Sequence, residues 1–203
     1  MVMANALTKH KGFSLVELMV ASSISLMALA VVSSVFLSGY RLNSQRSLQL
    51  MMAQDLNDAL KMMKEDIVRA GYNEGKGSSF VISGAASSMV VHLEPPPPAV
   101  ANCISYGYSD GTHSYYRSYY KSNNRLNVYT TQSANVSVSD LCKSGHSIFD
   151  YEKIDVDKFD VNTNVISKAG VTSNLITINI GISSKDNTFT DNKSINVQTR
   201  NWG

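Results

Sequence analysis

Glu17 is the residue whose position calls for chemistry. It is a carboxylate inside the stretch from Phe13 to Leu37, which otherwise carries no ionisable side chain. As a helix this stretch would run about 37 Å at 1.5 Å per residue, enough to cross the ~30 Å hydrocarbon core of a bilayer. A carboxylate in such a segment costs a few kcal/mol and needs a partner. No Lys, Arg or His lies in the stretch to supply one. A short basic head, Lys9-His10-Lys11, precedes it, with Gly12 between head and run. An ordinary secretory signal has a shorter apolar core and a small-residue cleavage site behind it. Here no Ala-x-Ala site follows, and the small residue that stands out lies in front. A cut after Gly12 would remove the basic head and create an α-amino group on Phe13, four residues or about 6 Å from Glu17. A neighbouring helix of the same kind, shifted axially by a few residues, could bring its own amine to this carboxylate. The chemistry on offer is docking, with a buried charge setting the register between subunits.

The remaining reactive residue types support no catalytic constellation. His92, His113 and His146 lack the spacing of a helical metal pair, and Cys142 near His146 lacks two further ligands. There is no glycine-rich phosphate loop and no G-x-S-x-G elbow. The expectation is a non-enzyme with no cofactor and no metal. The chain has 203 residues, a formal net charge of +2 and no long basic tract, so nucleic acid is not expected as a partner. One local repeat, Ser-Tyr-Tyr-Arg-Ser-Tyr-Tyr-Lys over 114–121, interleaves aromatics with Arg117 and Lys121. It could stack on bases or sugars. In a β-hairpin the same tyrosines pave one packed and one exposed face, which is the reading preferred here.

The basic head favours a cytoplasmic N-terminus and sends the rest of the chain outside, although Arg41 and Arg46 follow the run. In that oxidising compartment Cys103 and Cys142 are expected to form a disulfide, the alternative being two buried thiols.

Beyond Leu37, Leu48, Met52, Leu56, Leu60, Met63 and Ile67 mark one face of a helix. Gly71 is a natural stop. No proline interrupts residues 13–70, which could form one continuous helix. The methionines Met51, Met52, Met62 and Met63 are expected to pack it against the sheet that follows. From Tyr72 onward the pattern is strand and turn. One hairpin is expected from Phe80–Ser83 and Met89–Leu93, and a second from Tyr115–Tyr120 and Arg125–Thr131 across Lys-Ser-Asn-Asn. Ile154, Val156, Phe159 and Val161 make an imperfect strand. Ile176, Ile178, Ile180 and Ile182 make a strong one, and Ile195, Val197 and Thr199 a last one. Pro95–Pro98 reads as a stiff polyproline II connector. The expected class is α+β, a long N-terminal helix packed on an antiparallel β-sheet.

The stretch Lys11-Gly-Phe-Ser-Leu-Val-Glu17 resembles the N-terminal motif of type IV prepilins. The resemblance implies that a membrane-embedded prepilin peptidase cleaves between Gly12 and Phe13 and N-methylates Phe13, and that Glu17 is the assembly carboxylate. It divides the chain into a leader peptide (1–12), a transmembrane half-helix (13–37), a periplasmic amphipathic half (38–71) and a β-rich globular domain (72–203). The helix ending Lys64-Glu-Asp-Ile-Val-Arg-Ala-Gly-Tyr72 and the closing Ile195-Asn-Val-Gln-Thr-Arg-Asn-Trp202 are similar to those of PilW/PpdB-like minor pilins. That family implies a subunit at or near the tip of a type IV pilus, priming assembly with other minor pilins and presenting a surface or an adhesin. Its implied partners are the peptidase, the other minor pilins, the major pilin and a tip adhesin. Its implied path runs from the inner membrane, with the globular domain in the periplasm, to the extracellular pilus. A J-type pseudopilin of type II secretion fits the same physics. A signal-anchored periplasmic binding module or enzyme is the alternative of another class.

Overall fold

The computed structural model describes residues 12, 14–85, 90–168 and 171–200. The chain divides into two compact units, Met1–Leu48 and Gln49–Gly203. A single helix, α1 (Leu15–Ile67), runs through the boundary. Its first unit is apolar around its whole circumference and exposed, from Leu15 to Leu42. In the second unit the apolar residues withdraw to one stripe: Met52, Leu56, Ala59, Leu60, Met63 and Ile67 are buried. Met52 and Met63 have no exposed surface, so the methionine stripe serves packing.

Among the described residues eight strands follow, in two antiparallel meanders. The first sheet has the order β1 (Val91–Glu94), β2 (Cys103–Ser109), β3 (Ser114–Ser122), β4 (Arg125–Gln132), β5 (His146–Ser147). The second has the order β6 (Ile154–Lys168), β7 (Val171–Ser184), β8 (Thr190–Gln198). The class is therefore α+β, as expected. Ala101 and Val161 join the sheets by exchanging backbone hydrogen bonds of 3.1 and 2.8 Å. The Val156 amide adds a third, donating to the Asn124 carbonyl at 2.8 Å.

The β3–β4 hairpin forms where the sequence places it. Asn123 and Asn124 take φ of 50° and 56°, the left-handed pair that a two-residue turn needs, and asparagine tolerates it. Strand β7 keeps its alternation, with Ile176, Ile178, Ile180 and Ile182 buried. The imperfect pattern of β6 has a local cause. A bulge between Val156 and Lys158 inserts one residue, so Phe159 and Val161 return to the core face that Ile154 and Val156 occupy.

Three expectations are corrected. Phe80–Ser83 makes no hairpin with the residues that follow, and β1 pairs instead with β2. Phe80 lies on the outer face of the first sheet, where Gly107 leaves a notch: a Cβ there would stand 2.6 Å from the Phe80 ring. Phe80 also packs edge-on against Tyr116 at 5.6 Å, and Ser83 bridges to Ser137. Burial on a ready-made sheet face outweighs pairing in an isolated hairpin, which is marginal in water. Part of that expected hairpin, residues 86–89, lies outside the described residues.

The proline run is the second correction. It makes a turn closed by the Ala99 amide on the Pro96 carbonyl at 3.3 Å, and the peptides before Pro95 and Pro98 are cis. A polyproline II rod, which is extended, is not formed.

The tyrosine repeat is the third. Both faces of β3 are packed: Tyr119 is buried on the helix side, and Tyr116 and Tyr120 on the other. Ile82, Val136 and Leu141 cover Tyr116, with Phe80, Tyr129 and Val138 against them. No exposed aromatic platform remains along the centre of β3.

Candidate assembly site and its anchorage

The first unit carries the polar problem posed by the sequence. Seen as a helix start, Ser14-Leu-Val-Glu17 is a capping sequence, with Glu17 three residues after the N-cap Ser14. The Ser14 amide donates to Glu17 Oε2 at 2.9 Å. The carboxylate thus satisfies an orphan backbone donor of its own helix and lies at the positive end of the helix dipole. The signal for this, a Ser followed by Glu three positions later, is legible in the sequence. A Cβ on Gly12 would meet nothing within 4 Å, so the backbone on the leader side stands clear of other described residues. Phe13 lies outside the described residues, as does the leader up to Lys11.

Four serines of the apolar stretch bond to carbonyls of their own helix. The hydroxyls of Ser22 and Ser23 both donate to the Met19 carbonyl, at 2.9 and 2.8 Å. Ser25 donates to the Ala21 carbonyl and Ser34 to the Val31 carbonyl, both at 2.8 Å. Serine back-bonding of this kind satisfies these four hydroxyl hydrogens in an apolar medium. The helix contains a window of mean hydropathy 2.2, long and apolar enough to cross a membrane. Glu17 is its one ionisable group before Arg41.

The second unit shows how the far end of the helix is fixed. Asp66, in the last turn, forms an ion pair with Arg117 of β3 and accepts a hydrogen bond from the Tyr119 hydroxyl at 2.6 Å. Burial, then this bond to Asp66, pushes the Tyr119 phenol well above its ordinary range. Arg117 is braced in turn by Nε donating to Thr130 Oγ1 at 3.0 Å. A carboxylate near a helix C-terminus faces the negative end of the dipole, so the guanidinium compensates a local penalty. Past Ile67 the helix loosens through bonds of three-residue spacing, Arg69 to Asp66 and Ala70 to Ile67, both 3.0 Å. Gly71 then turns at φ 82° and donates to the Gly107 carbonyl at 2.9 Å, laying the chain beside β2. On the second sheet, Lys193 Nζ donates to Asn57 Oδ1 at 2.8 Å and holds the helix from β8. Sequence reasoning missed Asp66, Arg117 and Tyr119 as a unit, because their partners are some fifty residues apart and no local pattern links them.

Cys103 and Cys142 are joined by a disulfide, with Cα atoms 6.2 Å apart. The bond ties the loop carrying Val136 and Leu141 to the outer face of β2. Two small residues make room for it: Ser105 Oγ lies 3.3 Å from Cys142 Sγ, and the Cys142 amide donates to Ser118 Oγ at 3.3 Å.

A family model described as prepilin peptidase-dependent protein B matches residues 39–201. The chain belongs to this family. A second model, the prokaryotic N-terminal methylation motif, matches residues 7–33 and so takes in Gly12, Phe13 and Glu17. No curated protein and no solved structure matches the chain. Members of the family are pilin-like and depend on a prepilin peptidase for processing. Pilin-like families are structural, and the motif together with the apolar helix indicates anchoring in a membrane.

Proposed function

We propose that this chain is a minor pilin of a type IV pilus, incorporated at or near the filament tip. In this reading it acts by assembly and not by catalysis. The peptidase cuts between Gly12 and Phe13 and methylates Phe13. Before assembly the protein spans the inner membrane once, N-terminus inside, with the globular domain in the periplasm. Glu17 then docks on the N-terminal amine of a neighbouring subunit, and the complex primes the filament together with other minor pilins and the major pilin. The outward domain presents a surface or holds an adhesin.

One observation carries the reading. A methylation motif over 7–33 is continuous, through α1, with a pilin-family domain, and Glu17 is the one ionisable side chain of the apolar stretch. The Ser14 amide gives that carboxylate a partner of moderate strength in the free subunit, which an amine can replace with a charge-assisted bond. The test is mass spectrometry of the chain from sheared filaments. The expected N-terminus is methylated Phe13; an intact leader on filament-borne protein would sink the reading. Recovery only in a secretion apparatus, and never in pili, would assign the chain to the J-type pseudopilins instead.

A further inference from the structure

A cavity of about 520 Å³ opens where the second half of the tyrosine repeat, Tyr120-Lys121, passes the disulfide. It has no part in the chemistry at Glu17. The backbone builds it from two sides. The Asn102 amide donates to the Glu94 carbonyl and the Lys121 amide to the Asn102 carbonyl, both at 3.0 Å. These bonds set the end of β1, the entry to β2 and the end of β3 side by side. Lys143 arrives from the other direction, directly after Cys142. Cys142 is held at φ 63°, a left-handed backbone that a residue other than glycine adopts rarely. The bridge to Cys103 and the Cys142 amide on Ser118 Oγ fix it there.

The lining has a buried floor and a polar rim. Tyr120, Leu141 and Cys103 form the floor, and Glu94, Asn102, Lys121, Ser122 and Lys143 the rim. Among the described residues none of the rim side chains forms a hydrogen bond or an ion pair. Neither does the Tyr120 hydroxyl, although Tyr120 is only 9% exposed. Burial raises this phenol, so it stays a neutral donor. A buried polar group without a partner is costly, and a cavity of this size is within the range of ligand sites.

The polar groups select the ligand. Lys121 and Lys143 against Glu94 leave a lining charge of +1, which matches one carboxylate. A phosphate dianion would meet repulsion from Glu94, whereas hydroxyl groups can donate to it. Asn102, Ser122 and the Tyr120 phenol offer both donors and acceptors, as a ring of hydroxyls requires. We infer that this cavity binds a carboxylated sugar, its C–H face on Tyr120 and the disulfide, its carboxylate between Lys121 and Lys143, and its hydroxyls on Glu94 and Asn102. The site stands independently of the minor-pilin reading, since it is complete within one chain.

The experiment is saturation-transfer NMR on the purified full chain in detergent, titrated with D-glucuronate and D-galacturonate. D-glucose, D-galactose, glucose 6-phosphate and an acetylated Glu-Leu dipeptide are the competitors. At least one uronate should bind, at least tenfold more tightly than its uncharged counterpart and more tightly than the phosphate or the peptide. Lys121→Gln with Lys143→Gln should weaken it about tenfold, the scale of one charge-assisted contact. Tyr120→Phe should weaken it about fivefold, the scale of one hydrogen bond. Lys76→Gln, outside the lining, should change nothing. Glu94→Gln should narrow the gap between uronate and phosphate, which a merely structural role would not do. The thermal transition and an intact disulfide certify the fold of each variant. Absence of binding by both uronates overturns the proposal, as does equal binding of the neutral sugars, tighter binding of the phosphate or the dipeptide, or an affinity unmoved in the double lysine variant. Because no filament is needed, any of these failures leaves the minor-pilin reading as it was.

Discussion

Glu17 and Asp66 are both carboxylates on α1, one in its first turn and one in its last, and they are used in opposite ways. Glu17 sits where the helix dipole favours it, bonded among the described residues to its own helix's backbone, on an exposed apolar surface. Asp66 sits where the dipole opposes it, largely buried, and is bonded to two side chains of another strand. The first arrangement stabilises little beyond the helix start and leaves the charge available. The second commits the charge to one internal partner. A polar group on an apolar helix is therefore read by what already satisfies it. One bonded locally can be taken up by a new partner, while one bonded across the fold is part of the scaffold.

The sharpest way to break this contrast is Glu17→Leu. Incorporation into filaments, measured by immunoblot of the sheared fraction, should fall on the order of 100-fold, the scale of losing a buried charge partner. The thermal transition of the folded domain in the same protein should not move. A shifted transition would mean that Glu17 too is scaffold.

Next in size is the crosslink that holds the outer face of the first sheet. Cys103→Ser with Cys142→Ser opens a loop with a sequence separation of 39. It should cost about 4 kcal/mol in the chain-entropy account, read by urea unfolding of oxidised and substituted protein.

Asp66→Asn keeps the shape and removes the charge from Arg117. With Asp66 at 14% and Arg117 at 30% side-chain exposure, solvent screens part of the pair. A loss of about 2 kcal/mol is expected, with filament incorporation of whatever fraction folds unaffected. A double-mutant cycle with Arg117→Met should return most of that loss as coupling.

The smallest effect is Tyr119→Phe, about 1 kcal/mol below pH 10, which isolates the hydroxyl on Asp66. It also carries a pH signature. The folded-state pKa of Tyr119 is raised, so its contribution is whole below the unfolded value near 10 and is lost as pH climbs beyond it. Wild-type stability should therefore decline more steeply above pH 10 than that of Tyr119→Phe, in denaturant titrations at stepped pH.

These contrasts also mark how far the sequence could be read. Glu17 announced itself because an isolated charge in an apolar run is a local anomaly. The methionine stripe and β7 were legible because each has one buried face and a clean period. Strand β2 was not. Its Cys103, Ser105 and Gly107 are buried on one face while Ile104 and Tyr106 are buried on the other, so no alternation survives. The bulge in β6 hid its length for a related reason, since one inserted residue reverses the parity of everything after it. Asp66 and Arg117 carry no local sign of each other. Nothing within a turn of either residue reveals the other, and only the register of β3 against the helix brings them together.

Four serines of the apolar stretch, Ser22, Ser23, Ser25 and Ser34, have a consequence of their own. Their hydroxyl protons point back at carbonyls of the same helix, from Met19 to Val31. Carrying this segment out of lipid and into the middle of a protein bundle would break none of those bonds and form none. The segment is nearly indifferent to which oily medium surrounds it. The free energy that distinguishes the two media must come from side-chain packing and from the single acid at its head, so a change at one residue can decide the direction of transfer.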